Sequence, residues 1–372
     1  MASIVFVIPP VDENVFSGGM LCLFEYAKGL RARGHDLALV PLLPSKRPKW
    51  FSGDFGWLTP ELLEWESPLN VANTKLIELP LEIHSGLYLL YVREILQNRL
   101  SRADITVATA CTTALPVNLY GSGRKFYFAQ HFEPYFGGET QNAPWWEHQA
   151  RATYDLPLQI IANSSWLKDK LYRELGKKAL LCPNAIDHAI FHGAPKTSEL
   201  RNEVNVISYG GRTAQWKGFR EMAEGVHLAR LRLPDVTVNW QVYGSSLIPP
   251  ENAVAPYKSL GFLNSHQLAE AYRRADILLS ASWYESFPLF PLEAMACGLP
   301  AITTQSGTED FAIPEVTAEV IEPRDPESVA EALVRLTTRD AYRVAIARRG
   351  WEACKRFNWE ASVDRMEQIL CQ

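Results

Sequence analysis

Two glutamates flank a proline-rich turn in the second half of the chain, and their spacing suits a polyhydroxylated ligand. Glu285 follows the apolar run 277–281, and Glu293 lies in a short segment that ends at Gly298. The run predicts a buried strand and the segment a helix closed by glycine, so Glu285 falls in the connecting loop and Glu293 in the first helical turns. A carboxylate accepts two hydroxyl hydrogen bonds at once, which suits the vicinal diols of a ribose or a hexose.

Backbone N–H groups between the two glutamates, at the start of the helix, suit a diphosphate. Together these features predict a donor-binding segment after the strand. Its predicted binding positions are Glu285, Ser286, Phe287, Pro288, Leu289 and Glu293.

A glycine-rich loop with two cations follows the first predicted strand of the second half. The loop runs from Gly210 to Gly218 and carries Arg212 and Lys217. Its glycines allow a tight turn, and the two cations can converge on two phosphates, the arginine as a bidentate fork and the lysine as a point charge. Two cations at a diphosphate can also assist catalysis, because they neutralise the charge that develops when a diphosphate departs as a leaving group.

The first half offers two further candidate positions. Gly18 and Gly19 open the first predicted helix, where unobstructed N–H groups can meet an anion or a sugar oxygen, although a simple glycine cap explains the pair nearly as well. His131 ends the predicted strand 125–130, on the side of the sheet where ligands of α/β folds bind. A lone histidine is more often structural, so both interpretations of His131 stay open.

These motifs resemble, in order along the chain, those of family 4 of the retaining glycosyltransferases, whose EX7E motif matches Glu285 and Glu293. The resemblance implies a GT-B fold and a nucleotide-sugar donor. It places Glu285 at the donor sugar, Glu293 at the ribose, Arg212 and Lys217 at the diphosphate, and His131 and the glycine pair near the donor. In the commoner motif glycines follow the first glutamate, whereas here Ser286 and Pro288 stand, so the sugar pocket differs from the common form.

The resemblance also implies the reaction and its setting. The anomeric configuration is retained, cationic side chains replace a metal, and a phosphate oxygen takes the acceptor proton. The acceptor is a glycan, a lipid-linked glycan or a small molecule. The segment FYFAQHFEPYF is also similar to bacterial polysaccharide rhamnosyltransferases, which raises rhamnosyl beside hexosyl transfer.

Short β-branched runs alternate with helical patterns along the chain, which predicts parallel sheets covered by helices. The first series has predicted strands near 4–8, 37–41, 105–109, 125–130, 159–163 and 179–182, and helices near 18–33, 86–100 and 165–175. The second has strands near 205–209, 237–243, 276–281, 300–304 and 318–321, and helices near 218–232, 265–274, 291–297 and 325–355, before a last helix. Two doubly wound Rossmann-like domains facing across a cleft are the expected α/β architecture.

The expected domains are 1–187 on the acceptor side, 188–356 for the nucleotide-sugar, and a C-terminal helix, 357–372, that returns to the first domain. A polar stretch, 192–203, indicates a linker. The aromatic stretches 44–75 and 132–148 are long for connections, which makes them candidate acceptor-binding loops.

Composition excludes several other classes. Lysine and arginine total 37 against 42 acidic residues, so no strong positive electrostatic field attracts nucleic acid. The six cysteines are scattered without a CxxC pair, which indicates buried thiols in a reduced cytoplasm. His188 and His192 are spaced as metal ligands can be, but no third ligand is evident, and no metal or other cofactor is expected. The amino terminus lacks a signal-peptide pattern, and no apolar run is long enough to span a membrane. Peripheral contact at the inner membrane face stays open through the predicted helix 86–100.

Two rival functions fit the same fold. A sugar-nucleotide epimerase would use the carboxylates and a histidine as acid and base, and it would form product from the donor alone. A noncatalytic binding protein would hold the donor without turnover. A nicotinamide dehydrogenase is disfavoured because the GxGxxG fingerprint is missing.

Overall fold

The computed structural model of the chain separates into two compact units. The structure describes residues 1–42, 45–57, 103–137, 143–197, 202–210, 214–245, 247 and 253–372. The first unit comprises Met1–Asn163, Leu167–Cys182 and Ser362–Gln372, and the second comprises Ser164–Trp166 and Pro183–Ala361. Each unit is built on one parallel sheet, so the predicted fold class of two doubly wound α/β units is confirmed.

The first unit has the strand order β2-β1-β3-β4-β5-β6, with every described pair parallel. Its strands are β1 Ser3–Ile8, β2 Asp36–Pro41, β3 Ile105–Ala108, β4 Arg124–Ala129, β5 Gln159–Ala162 and β6 Ala179–Leu181. Its helices are α1 Gly18–Ala32, α2 Cys111–Tyr120, α3 Ala143–Thr153 and α4 Ser165–Leu175, with a 3-10 helix at Glu133–Gly137. The order reverses between β1 and β3, and ligands of open α/β sheets bind at such a reversal.

The second unit has the strand order β12-β11-β10-β7-β8-β9, again all parallel. Its strands are β7 Glu203–Tyr209, β8 Thr237–Tyr243, β9 Lys258–Gly261, β10 Ile277–Leu279, β11 Ala301–Thr304 and β12 Glu319–Ile321. Its helices are α5 Phe219–Arg232, α6 Ser265–Arg274, α7 Leu289–Ala296, α8 Pro326–Thr338 and α9 Asp340–Cys354, with a 3-10 helix at Gln215–Lys217. The order reverses between β7 and β10.

The core of the second unit follows from the two-residue period of its strands. In β10, Ile277 and Leu279 pack in the cluster beneath α5 and α8, whereas Leu278 packs in the cluster on the opposite face. Both clusters are fully buried, since β-strands send successive side chains to opposite faces and helices cover both. This packing fixes the strand ends from which the site residues project.

Several predicted elements need correction. The stretch 132–148, predicted as a loop, holds the 3-10 helix and the start of α3. Pro144 does not prevent helix formation, because it lies in the first turn of α3, where a missing N–H costs nothing. The single helix predicted over 325–355 is two helices that meet at Arg339. The predicted helix 86–100 lies outside the described residues, as does most of the predicted loop 44–75.

The stretch predicted as a linker packs against the second unit where it is described. Lys196 Nζ donates to the carbonyls of Arg274 and Ala275 and to Asp276 Oδ1, at 2.9, 2.6 and 2.8 Å. Gly193 passes so close to the Cys297 carbonyl that an added Cβ would lie 2.5 Å from it. Residues 192–197 therefore pack at the end of the sheet where the strands begin. Their polar composition indicated a linker and did not show this packing.

The last residues of the chain pack in the first unit. The buried His35 ring accepts from the Ala2 N–H at Nδ1, so its Nε2 carries the proton and donates to Glu367, 2.9 Å away. Arg33 pairs with Glu367 and Asp364, and these partners hold the pKa of Glu367 below its usual value. Polar contacts thus attach the end of the last helix, α10 Trp359–Cys371, to the first unit.

Two further predictions concern the cysteines and membrane spans. The six cysteines form no disulfide; five are buried, and burial raises the pKa of Cys182, Cys297 and Cys354 to about 12. Among the helices that the structure describes, none has the length and apolar content needed to cross a bilayer.

Candidate functional site

Lys217 and Glu285 follow the two strands between which the order of the second sheet reverses. Lys217 ends the 3-10 helix after β7, and Glu285 lies in the loop after β10. The ends of parallel strands meet at one edge of a sheet, so the fold brings together two residues that are 68 positions apart. This edge is the candidate site of the second unit.

A glycine lets the two loops approach each other. Gly218 has φ +69°, and a Cβ there would lie 1.9 Å from the Ala281 carbonyl oxygen. The Trp283 N–H donates to the Trp216 carbonyl at 2.8 Å, which joins the loops directly. Gly218 is therefore required both by its left-handed backbone and by the close passage of the neighbouring loop.

Lys217 and Glu285 form a direct ion pair. Lys217 Nζ donates to Glu285 Oε1 at 2.5 Å, and the two side chains are only 14% and 17% exposed. Each charge compensates the other, and a diphosphate that recruits Lys217 has to compete with the carboxylate for it. The cation predicted for the phosphates and the carboxylate predicted for the sugar thus share one site.

A stacked pair of aromatic rings lies beside Lys217, a contact that the sequence pattern did not predict. The Trp216 and Tyr284 rings stack with centroids 5.2 Å apart and planes 11° apart. Lys217 Nζ lies 4.1 Å from the Trp216 ring centroid. The only sequence signal was that each aromatic residue immediately precedes a predicted site residue.

The residues between the two glutamates are placed less favourably for direct binding than predicted. Ser286 is 2% exposed and lies within 3.5 Å of the Ser164 hydroxyl, and Phe287 packs against Phe311 and Phe357 in the core. Their side chains serve the interior of the unit. Any role of this pair at the donor rests on the backbone.

The start of α7 offers few donors to an anion. Pro288 is its N-cap and Leu289 its first residue, and Pro291 occupies the third position. Proline has no N–H, so the first turn contributes the N–H groups of Leu289 and Phe290 alone. A diphosphate at this position would therefore depend more on cationic side chains than on helix N–H groups.

Glu293 lies on α7 and is 5% exposed. Its Oε2 has no hydrogen-bond partner among the described residues, and burial raises the pKa of the carboxyl to about 8. A buried carboxyl without a partner is costly, so such groups usually mark a site where a ligand supplies the missing hydrogen bonds. The hydroxyls of a ribose would do so.

Three aromatic residues gather at the same end of the second sheet. Tyr209 ends β7, Tyr243 ends β8, and Phe290 lies one turn before Glu293. The Phe290 ring lies 4.4 Å from Tyr209 and 5.7 Å from Tyr243, while the Tyr243 hydroxyl lies 2.7 Å from that of Tyr272. This cluster borders the carboxyl edge with apolar surface.

The first unit holds the remaining predicted residues. Gly18 and Gly19 begin α1 directly after the β1 loop, and Ser17 at the N-cap makes no side-chain capping bond. A Cβ on Gly19 would lie 3.7 Å from the Gln130 amide, whose buried Oε1 has no partner among the described residues. The glycine pair thus lies beside the end of β4, and Gln130 is a polar neighbour that sequence analysis missed.

His131 follows Gln130 and is 9% exposed. Its ring packs against Phe136 with centroids 4.7 Å apart, and its carbonyl accepts from the Tyr154 hydroxyl at 3.3 Å. The buried Glu133 carboxylate accepts from the Cys111 N–H and the Tyr127 hydroxyl at 2.7 and 3.1 Å, and burial raises its pKa. A connected buried network therefore fixes the backbone around His131.

Arg212, predicted beside Lys217 at the diphosphate, lies outside the described residues. Within the described ranges no group of three or more histidine, cysteine or acidic side chains could hold a metal ion. The metal-free reaction stays a prediction.

The chain is similar to known glycosyltransferases in sequence. Residues 204–339 match the family model described as glycosyl transferases group 1. The O-antigen biosynthesis protein RfbC of Myxococcus xanthus is 27% identical over 275 residues, which cover 73% of this chain and 21% of RfbC. A D-inositol 3-phosphate glycosyltransferase of Saccharomonospora viridis is 35% identical over 103 residues, covering 27% of this chain and 24% of the relative. The matches span about a fifth to a quarter of these curated relatives.

Solved structures extend the similarity to the whole fold. Sucrose-phosphate synthase of Thermosynechococcus elongatus has a TM-score of 0.72 at 16% identity and covers 99% of this chain and 98% of its own. Anabaena HepE, solved with UDP and glucose, has a TM-score of 0.70 at 16% identity and covers both chains fully. Residues 204–339 are thus similar to the glycosyl transferases group 1, and the chain has the fold of the GT-B glycosyltransferases.

Proposed function

We propose that this chain is a retaining glycosyltransferase of family 4 that transfers a sugar from a nucleoside diphosphate donor to a glycan, lipid-linked or small-molecule acceptor. The observation that carries the proposal is the Lys217–Glu285 ion pair at the strand reversal of the second unit, in the segment that matches the model for glycosyl transferases group 1. A lysine suits a phosphate and a carboxylate suits sugar hydroxyls, so the pair brings the two halves of a nucleotide-sugar to one place.

Lys217 acts on the leaving group in this proposal. Its ammonium leaves Glu285 for a phosphate oxygen of the bound donor and neutralises the charge that develops as the bond between the sugar C1 and the phosphate oxygen breaks. Arg212 contributes the second cation, as predicted from the sequence. With two prolines at the start of α7, these two side chains carry most of the phosphate recognition.

The two glutamates position the donor. Glu285, released from Lys217, accepts hydrogen bonds from hydroxyls of the transferred sugar. Glu293 binds the ribose, whose hydroxyls supply the hydrogen bonds that its buried carboxyl lacks among the described residues. Ser286, Phe287, Pro288 and Leu289 shape the loop between the two carboxyls, and Gly18, Gly19 and His131 of the first unit are proposed to contact the donor.

The proposed reaction follows from the resemblance to the retaining family. The bond between C1 and the phosphate oxygen breaks, and the acceptor oxygen bonds C1 on the face from which the diphosphate leaves. A phosphate oxygen takes the acceptor proton. The nucleoside diphosphate departs carrying the acceptor proton, and no metal ion takes part in the proposed reaction. The anomeric configuration of the sugar is retained.

The similar proteins suggest where to look for substrates. HepE was solved with UDP-glucose, so UDP and UDP-hexoses are the first donors to test. RfbC is named for O-antigen biosynthesis, which supports a glycan or lipid-linked acceptor and keeps rhamnosyl beside hexosyl transfer. The matched family model describes glycosyltransferases and the Saccharomonospora viridis relative is named as one, which favours transfer over an epimerase or a noncatalytic binding protein.

Turnover of a nucleotide-sugar in EDTA, followed by proton NMR, tests this proposal. We expect release of the nucleoside diphosphate with the anomeric signal of the new bond matching that of the donor. An inverted signal would contradict retention. Epimerised donor without any acceptor would favour the epimerase, and tight binding without product from any sugar-acceptor pair would favour the binding protein.

A further inference from the structure

The aromatic residue before Lys217 contacts its ammonium directly. Lys217 Nζ lies 4.1 Å from the Trp216 ring centroid, within the range of a cation–π interaction, and 2.5 Å from Glu285 Oε1. Among the described residues, the ammonium thus has one charged and one aromatic partner. Of these, only the carboxylate is expected to exchange its contact when a donor binds.

Trp216 itself is fixed by contacts that do not involve Lys217. Its ring stacks on Tyr284 with planes 11° apart, and its carbonyl accepts the Trp283 N–H at 2.8 Å. Gly218, on the other side of Lys217, passes against the Ala281 carbonyl. Both neighbours of Lys217 in the chain are therefore anchored to the loop after β10, and the Trp216 ring is a stationary surface.

We propose that Trp216 is a positioning residue for Lys217: it keeps the ammonium at the phosphate position after Glu285 exchanges Lys217 for sugar hydroxyls. This inference rests on the proposed function. A lysine side chain has four rotatable bonds, and holding it in one conformation costs conformational entropy. An aromatic face that binds the ammonium with and without the donor reduces that cost, because Lys217 does not have to be ordered anew when the diphosphate arrives.

The chain offers a matched control in the neighbouring loop, after β10. Trp283 donates from Nε1 to Glu221 Oε1 at 3.1 Å, and the Arg324 guanidinium carbon lies 4.0 Å from its ring centroid. Its indole therefore has its own acid and its own cation. Trp283→Leu removes a similar amount of aromatic surface and tests whether loss of any indole from this region has the same effect.

The experiment is calorimetric titration with UDP in EDTA, at 50 and 200 mM salt as the chosen conditions. Three substitutions are introduced into both the parent protein and the Lys217→Ala variant: Trp216→Leu, Trp216→Phe and Trp283→Leu. Thermal unfolding confirms that every variant is folded. We expect Trp216→Leu to weaken UDP binding by about 2- to 30-fold in the parent, up to the full rotamer entropy of a lysine side chain that has to be ordered anew, and by less than about 2-fold in Lys217→Ala. Trp216→Phe keeps an aromatic face and recovers most of the affinity.

The outcomes separate this inference from the proposed function. Equal weakening by Trp216→Leu in both backgrounds, or a Phe variant as weak as the Leu variant, would overturn the positioning role and leave the phosphate role of Lys217 intact. An effect of Trp283→Leu that also disappeared in Lys217→Ala would overturn it as well. If Lys217→Ala bound UDP as tightly as the parent at both salt concentrations, the phosphate assignment would fail, and the inference with it.

Discussion

Replacing Glu285 by glutamine separates the two roles that the ion pair combines. Glutamine keeps the shape of the side chain but removes its charge, so Lys217 no longer has a carboxylate 2.5 Å away. In the proposed site a diphosphate must take Lys217 from Glu285. Glu285→Gln removes that competition and should therefore tighten the binding of a nucleoside diphosphate that lacks a sugar.

The expected magnitude follows from the strength of the contact. A hydrogen bond between charged partners contributes about 1.5–3 kcal/mol, and both side chains here are less than a fifth exposed. Removing the competitor should thus tighten UDP binding by about 10- to 160-fold. Transfer from UDP-sugar should fall at the same time, because glutamine binds the sugar hydroxyls less strongly than a carboxylate.

Titration calorimetry of UDP against the parent and Glu285→Gln measures the first effect, and transfer rates measure the second. Glu224→Gln is a suitable control, since Glu224 pairs with Arg220 on the surface of α5 and takes no part in the site. UDP affinity that stayed unchanged or fell in a folded Glu285→Gln variant would refute the competition between carboxylate and phosphate.

Three further variants test other parts of the structure. The raised pKa of Glu293, about 8, keeps this carboxyl protonated in the folded state between pH 4.5 and 8, whereas the unfolded chain is ionised there. The free energy of unfolding should therefore fall by about 1.4 kcal/mol per pH unit in this range. Glu293→Gln should remove this slope in thermal unfolding at pH 5 and 7.5, and a slope identical to that of the parent would contradict the burial argument. Gly218→Ala should lower the melting temperature far more than Gly261→Ala, because both glycines have positive φ but only Gly218 passes against another loop; equal losses would contradict that close passage. Glu367→Gln should destabilise the first unit at pH 7, where the carboxylate pairs with His35. The difference from the parent should shrink as the pH falls below about 4.5 and through the lowered pKa of the folded state, because only the ionised form is stabilised; a difference that did not shrink below pH 4.5 would contradict it.

Sequence patterns predicted the sheets well because parallel strands covered on both sides are short apolar runs. The runs at Ile277–Leu279 and Glu203–Tyr209 lie where expected, and the loops after them carry Glu285 and Lys217. Among the elements that were missed, two have mixed patterns. Helix α2 contains Pro116, which removes an interior hydrogen bond, and β9 is the short edge strand Lys-Ser-Leu-Gly, which has little apolar content.

The candidate site was predictable in its charges but not in its contacts. Glu285 and Lys217 stand out by type and spacing, yet nothing in a linear pattern shows that they bind each other or that Trp216 stacks on Tyr284. Such contacts depend on how two loops pack at the sheet edge. The burial of Phe287 escaped prediction for the same reason, since a phenylalanine beside a binding residue can face either the ligand or the core.

The central claim is that the second unit holds a nucleoside diphosphate without a metal ion. Thermal unfolding with UDP, GDP, ADP and dTDP in EDTA tests it most directly, because a ligand at 100 times its dissociation constant stabilises the folded chain by about 2.7 kcal/mol. We predict that one of the four raises the melting temperature of the parent and that Lys217→Ala loses most of the shift at the same concentration. No shift with any of the four, or an equal shift in Lys217→Ala, would contradict the account.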